Sequence, residues 1–342
     1  MQLENFINKM PKVELHVHLE GAIQPETLLK LSKKNHISLP ADDLEGIRKW
    51  YNFTDFARFV EIYMALSKCL ISPEDIELIT REFLIGQAQQ NILYSEVTYT
   101  AYTHFINHQI AFEDQIAAIN RARDWASKSL GVEMGLVIDI SRDRTAEESE
   151  LVADWAISAH GNGVVALGLG GPEIGNPPEK FAGIFERVFH AGLPAVPHAG
   201  ETEGPDSIWG ALKLLHAVRI GHGVRCLEDP DLVKYLREKQ IPLDVCPTSN
   251  ICLKVAPSIA QHPLPALMDA GLYITINSDD PPMFSTNLTN EFQTIAKTFS
   301  FDQNQIKTFV YNALEVTLQS TLKREALRER ISQGFQQIEG LD

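Results

Sequence analysis

The stretch Lys12-Val-Glu-Leu-His-Val-His-Leu-Glu20 places two histidines, His16 and His18, two positions apart in an apolar run. Strand alternation turns both imidazoles to one face, which is half of a metal site. Three later segments end in the same manner and can complete it: Pro197-His-Ala-Gly-Glu201, Arg219-Ile-Gly-His-Gly223 and Asn277-Ser-Asp-Asp-Pro281. Metal ligands and acid/base groups gathered at strand ends point to a metal-dependent hydrolase.

Working outward, short apolar runs bounded by turn residues recur at Val13 to His18, Ile92 to Thr100, Glu133 to Ile140, Val164 to Gly171, Ala195 to Ala199, Arg219 to His222, Pro242 to Pro247 and Tyr273 to Ser278. Such runs are the pattern of buried parallel strands. Most are separated by amphipathic segments: 111–130, 146–160, 178–191, 206–217, 230–239 and 263–270. The alternation predicts an α/β fold, a single (β/α)8 TIM-type barrel over residues 1–342. Residues 19–91 read as a helical insertion after the first strand, partly covering the active site, and residues 282–342 as appended C-terminal helices. Within the insertion, Phe56, Phe59, Val60, Tyr63 and Met64 recur at helical spacing. Such a stripe is ordinarily core. Its position after the metal-binding strand predicts that part of it, Phe56 included, roofs the pocket.

The chain of 342 residues carries a net charge of -15 and no Lys/Arg stretch with interleaved aromatics, which argues against a nucleic acid polymer as partner. It has no phosphate-binding loop of the G-x-x-x-x-G-K-[ST] type, no long apolar run and no signal-peptide pattern. Its 4 cysteines form neither a C-x-x-C nor a tight pairing. Together these predict a cytoplasmic protein with no membrane partner, acting on a small molecule.

His16, His18, His198 and His222 stand at the ends of strands 1, 5 and 6, and closing a barrel brings those ends around one axis. Asp279 and Asp280 follow the eighth run, adjacent to strand 1 after closure. Three neutral imidazoles and one carboxylate form a zinc-type donor set. The fourth strand offers no lysine to bridge a second ion, so one ion is expected, with iron(II) or manganese(II) as alternatives to zinc. Asp280 suits the task of accepting a proton from an activated water, and Glu201 suits delivering one to the substrate. His222 is either a further nitrogen ligand or an electrostatic partner of the water.

The motifs His16-Val-His-Leu-Glu-Gly-Ala22, His198-Ala-Gly-Glu201, Arg219-Ile-Gly-His-Gly223, Cys246-Pro-Thr-Ser-Asn250 and Ser278-Asp-Asp-Pro281, in this order, resemble the adenosine deaminase family of the metal-dependent amidohydrolases. The resemblance implies His16, His18, His198 and Asp279 as zinc ligands, Asp280 as the base, His222 as the group that polarises the water, and Glu201 as the acid at purine N1. It also implies that Gly171 meets purine N3 through its backbone, that His18 also binds substrate, and that the residue at Glu20 serves the sugar 5′-hydroxyl. The activity implied is hydrolytic deamination of a 6-aminopurine nucleoside, adenosine or a 5′-modified adenosine. Departures matter: Glu20 stands where adenosine deaminases have Asp, and Gly168-Leu-Gly-Gly-Pro-Glu173 stands where they have Asp-Leu-Ala-Gly-Asp-Glu. These features resemble the branches acting on 6-aminodeoxyfutalosine, in menaquinone biosynthesis, or on adenine.

Overall fold

The β-branched and apolar runs become eight parallel strands in the computed structural model, which describes residues 2–53 and 55–340. They are β1 (Lys12–His18), β2 (Ile92–Tyr99), β3 (Glu133–Ser141), β4 (Val164–Gly170), β5 (Ala195–Ala199), β6 (Ile220–His222), β7 (Pro242–Val245) and β8 (Tyr273–Ile276). Each pairs with its successor. The ring closes between β1 and the residues after β8: the His18 N–H donates to Asp279 O at 2.9 Å, and the Asp279 N–H donates to His16 O at 3.1 Å. The Asn277 side-chain oxygen stitches the same seam by accepting from Leu15 N at 2.8 Å and His16 N at 3.1 Å. The expected (β/α)8 barrel is the fold.

Strands covered by helices outside and filled inside have no solvent face, and β1 to β8 are accordingly almost wholly buried. One charged layer lies among the apolar ones. The Arg219 guanidinium, 1% exposed, pairs with Glu96 at 2.6 Å and with Asp244 at 2.5 Å. Thr275 donates to the second oxygen of Asp244 at 2.7 Å, and Leu318 N–H to Glu96 at 2.6 Å. A buried charge needs this degree of pairing to survive desolvation.

The insertion between β1 and β2 holds four helices among the described residues: Pro25–Asn35, Leu44–Trp50, Phe56–Ser67 and Pro73–Gln89. Asp43, Asp55 and Ser72 start the last three by accepting backbone N–H bonds as N-caps. Thr54, part of the stretch read as a helical stripe, lies outside the described residues; the helix begins at Phe56. Its Ile62 and Leu66 face the core. Three further helices, Leu288–Phe299, Gln303–Glu315 and Thr321–Glu339, follow β8, and the second of them packs on β8 and β1. Among the described residues no helix is long and apolar enough to cross a membrane.

Elements that differ from the sequence expectation include an N-terminal helix, Leu3–Lys9, and two others. A helix at Ala101–His108 follows β2 directly, and the expected seventh run ends early because Pro247–Cys252 turns into a short buried helix. Proline at its first position favours that helical start.

Candidate active site

The ligand candidates converge at the C-terminal ends of the strands. His16 and His18 project from β1, His198 from β5, and Asp279 from the turn after β8. Their ligating atoms all lie within 4.8 Å of one another. His18 Nε2 faces His198 Nε2 at 3.2 Å, and Asp279 Oδ1 lies 3.3 Å from His18 Nε2 and 3.5 Å from His16 Nε2. His16 Nε2 is buried with no hydrogen-bond partner. An orphaned imidazole nitrogen facing two more imidazoles and a carboxylate fits a divalent cation of the zinc class better than it fits a hydrogen-bond network.

Supporting contacts aim these donors. His198 Nδ1 donates to Leu169 O at 3.1 Å, which leaves the Nε2 lone pair directed at the cluster. Ser249 Oγ donates to Asp279 Oδ2 at 2.6 Å. A Cβ at Gly221 would fall 2.7 Å from His16 Cε1, so only glycine lets β6 lie beside that ring. His222 and Asp279 both adopt left-handed backbone, with φ of 61° and 64°. Non-glycine residues held there carry strain of a kind that clusters at functional sites.

The acid/base candidates sit on the same cavity. Glu201 Oε1 and Asp280 Oδ1 are buried without hydrogen-bond partners. Burial first, then the neighbouring Asp279, pushes both carboxyls well above the usual range. Asp279 goes the other way: burial would raise it, but His16 and His18 beside it hold it well below. Burial lowers His222 to about 3, against the opposing pull of Asp279, so its ring is neutral. Asn250 Nδ2 faces His222 Nδ1 at 3.5 Å, and Asn250 Oδ1 is in turn 3.0 Å from His262 Nε2. With the amide nitrogen on its Nδ1 side, His222 carries its proton on Nε2, which faces Glu201 Oε1 at 3.6 Å. His222 also lies near Cys246 and Asp279, but burial pushes the Cys246 thiol well up and makes it a poor ligand.

Sequence reasoning missed Glu173. Its carboxylate accepts from four successive backbone N–H groups, those of Gly200 (2.8 Å), Glu201 (3.0 Å), Thr202 (2.7 Å) and Glu203 (3.0 Å), and from Ser207 Oγ at 2.7 Å. Glu173 thereby fixes the turn that carries Glu201. Burial would raise its carboxyl; the donors from Glu203, Ser207 and Thr202 outweigh that and hold it below the usual range. The only signal was a carboxylate two residues past Gly171.

The cavity measures about 590 Å³. Its floor is His18, His198, Glu201, His222, Asp279 and Asp280; Gly171 and Pro172 form one side, and Ser141, Asp143 and Arg144 the mouth beyond β3. Phe56, Phe59, Val60, Tyr63 and Met64 roof it, so the aromatic stripe does both jobs, packing the core through Phe59 and lining the pocket. Glu20 lies behind the wall rather than on it. It is fully buried and accepts from Thr100 N at 3.1 Å and Tyr63 Oη at 3.1 Å, with His104 Nε2 at 3.0 Å. Its longer side chain reaches those partners, and they occupy both of its oxygens.

Known proteins match this arrangement. The family profile described as adenosine deaminase covers residues 11–334. An aminodeoxyfutalosine deaminase of Streptomyces avermitilis is 38% identical over 92% of this chain and 88% of its own. An adenine deaminase of Crocosphaera subtropica is 36% identical over 95% of this chain and 99% of its own. The crystal structure of an adenine deaminase from Arthrobacter aurescens superposes with a TM-score of 0.90 at 33% identity, over 95% of this chain and 98% of that one.

Proposed function

The chain belongs to the adenosine deaminase family, whose members among its relatives deaminate aminopurine-type compounds, and we propose that it hydrolyses the 6-amino group of an adenine nucleoside modified on its 5′ side. The observation that carries the reaction class is the meeting of two unpartnered buried carboxyls, Glu201 and Asp280, with the neutral His222 beside a three-histidine, one-aspartate cluster.

His16, His18, His198 and Asp279 would hold one divalent ion, zinc by the character of the donors. When bound, such an ion supplies Lewis-acid activation that brings the pKa of a water to about 7, and its charge lowers the carboxyls around it. Glu201, whose carboxyl burial raises, delivers its proton to purine N1 and draws electron density from C6. Asp280 takes one proton from the attacking water and passes it to the amine, the C6–N bond breaks to release ammonia, and the remaining hydroxyl proton is lost as the 6-oxo group forms, an equivalent proton restoring Glu201. His222 donates from Nε2 to the oxygen that gains charge as it adds to C6. Glu173 holds Glu201 in register, and the left-handed turn at Gly171 presents its backbone to the purine edge.

Cavity size supports an extension at the 5′ side. Ligand pockets run roughly 300–1,000 Å³, and about 590 Å³ is more than a bare purine fills. Phe56, Val60 and Met64 line the cavity together with Arg144, which stands in the lining with the carboxylates Asp143 and Glu61, so the wall offers apolar area and one cation. That is the chemistry of an aromatic or aliphatic substituent ending in an acid, as in 6-aminodeoxyfutalosine. Adenine is the second reading, favoured by the withdrawal of Glu20 from the cavity wall.

The test is ammonia release from adenosine, 2′-deoxyadenosine, adenine and 6-aminodeoxyfutalosine by the metal-loaded protein. We expect kcat/KM for the futalosine compound to exceed that for adenosine by at least tenfold. Adenine as the best substrate would replace this assignment with the second reading, and ammonia from none of them would overturn the reaction class.

A further inference from the structure

Asp139 is a buried carboxyl to which the reaction above gives no task. It stands on β3, is 4% exposed, lines the same cavity as His18 and Gly171, and its Oδ1 has no hydrogen-bond partner. Buried polar atoms in folded proteins are nearly always paired, so an unpaired oxygen on a carboxyl that lines a ligand cavity calls for a partner. The neighbouring strand is cut to admit it. Asp139 pairs in register with Gly168 of β4; a Cβ there would lie 3.0 Å from Asp139 Oδ1, and one at Gly170 would lie 2.9 Å from Oδ2. Gly168 and Gly170 are two of the positions where this chain departs from the Asp-Leu-Ala-Gly pattern of adenosine deaminases. At 168 the adenosine deaminase pattern has a carboxylate and this chain has none; the carboxylate beside that position is Asp139 of β3.

We propose that Asp139 is a specificity residue that contacts the substrate directly, accepting a hydrogen bond from a donor on the imidazole side of the purine. The donor is the N9–H of a free base or a hydroxyl of the sugar on N9. This inference rests on the 6-aminopurine reading of the site. With Glu201 at N1 and Asp280 at C6, the edge left for Asp139 is the five-membered ring and what it carries. Removing an acceptor from a site built around a substrate donor collapses discrimination against analogues that lack the donor.

The experiment compares kcat/KM of metal-loaded wild type, Asp139→Asn and Asp139→Ala on matched pairs: adenine with 9-methyladenine, and adenosine with 2′-deoxyadenosine and with 3′-deoxyadenosine. For one pair, wild type should prefer the donor-bearing member by roughly 10- to 100-fold, and the preference should fall to within about threefold in Asp139→Ala. The N9–H pair shifting alone identifies a base, and a hydroxyl pair shifting alone identifies a nucleoside. Asp139→Asn should in addition raise the melting temperature, because it removes a buried unpaired acid. Uniform loss across all pairs with a lowered melting temperature would make Asp139 structural and overturn the inference while leaving the deaminase reading intact. No ammonia from any wild-type reaction would instead overturn both.

Discussion

Asp279 and Asp280 are adjacent in sequence yet pushed in opposite directions, one carboxyl lowered by His16 and His18 against its burial, the other raised by burial and by Asp279 itself. Asp279→Ala should lose metal and turnover together, whereas Asp280→Asn should keep its metal and lose kcat by several orders of magnitude, with metal content and ammonia release measured on the same samples. Glu173 makes a different prediction. Its carboxyl is depressed in the fold, so the stability it contributes is present above the unfolded value of about 4.3 and is lost as pH falls through the folded value. The melting temperature of wild type should therefore drop more steeply below about pH 4.3 than that of Glu173→Gln, in melts followed by circular dichroism across pH. The histidine pair and Asp-Asp were legible because strand periodicity and chain order dictate where they point. Glu173, Ser249 and Asn250 were not, since their roles depend on bonds across 27, 30 and 28 residues of chain.

At the scale of elements, the helix Phe56–Ser67 adds an apolar wall to a cavity whose other lining residues come from the barrel. Phe56 is part of the pocket roof and touches no acid or base, so its truncation should act on binding. Phe56→Ala should raise KM about tenfold, equal to roughly 1.4 kcal/mol of lost burial, with kcat changed by less than about twofold; an unchanged KM in steady-state assays would return this residue to the core. The strands were readable because short apolar runs bounded by turns have few other solutions. Ala101–His108 was hidden because it starts directly after Thr100 and is too short to show a periodic face. Pro247–Cys252 was hidden because it is only six residues long and its buried residues include the polar Ser249 and Asn250, which show no apolar face.

At the scale of the whole molecule, barrel closure turns sequence motifs into a site: β1 meets the turn after β8 through His18 and Asp279, bringing residues more than 260 positions apart within coordinating reach. The barrel could be read from eight runs, while the lid geometry, the rim at Arg144 and the slot around Asp139 required the folded chain. The central claim is that this closed ring deaminates by an acid, Glu201, acting at a ring nitrogen beside a metal cluster. Ammonia release by metal-loaded Glu201→Gln beside wild type tests it most directly: full metal content with kcat/KM lowered at least about 1,000-fold is the predicted result, and deamination near the wild-type rate would contradict the account.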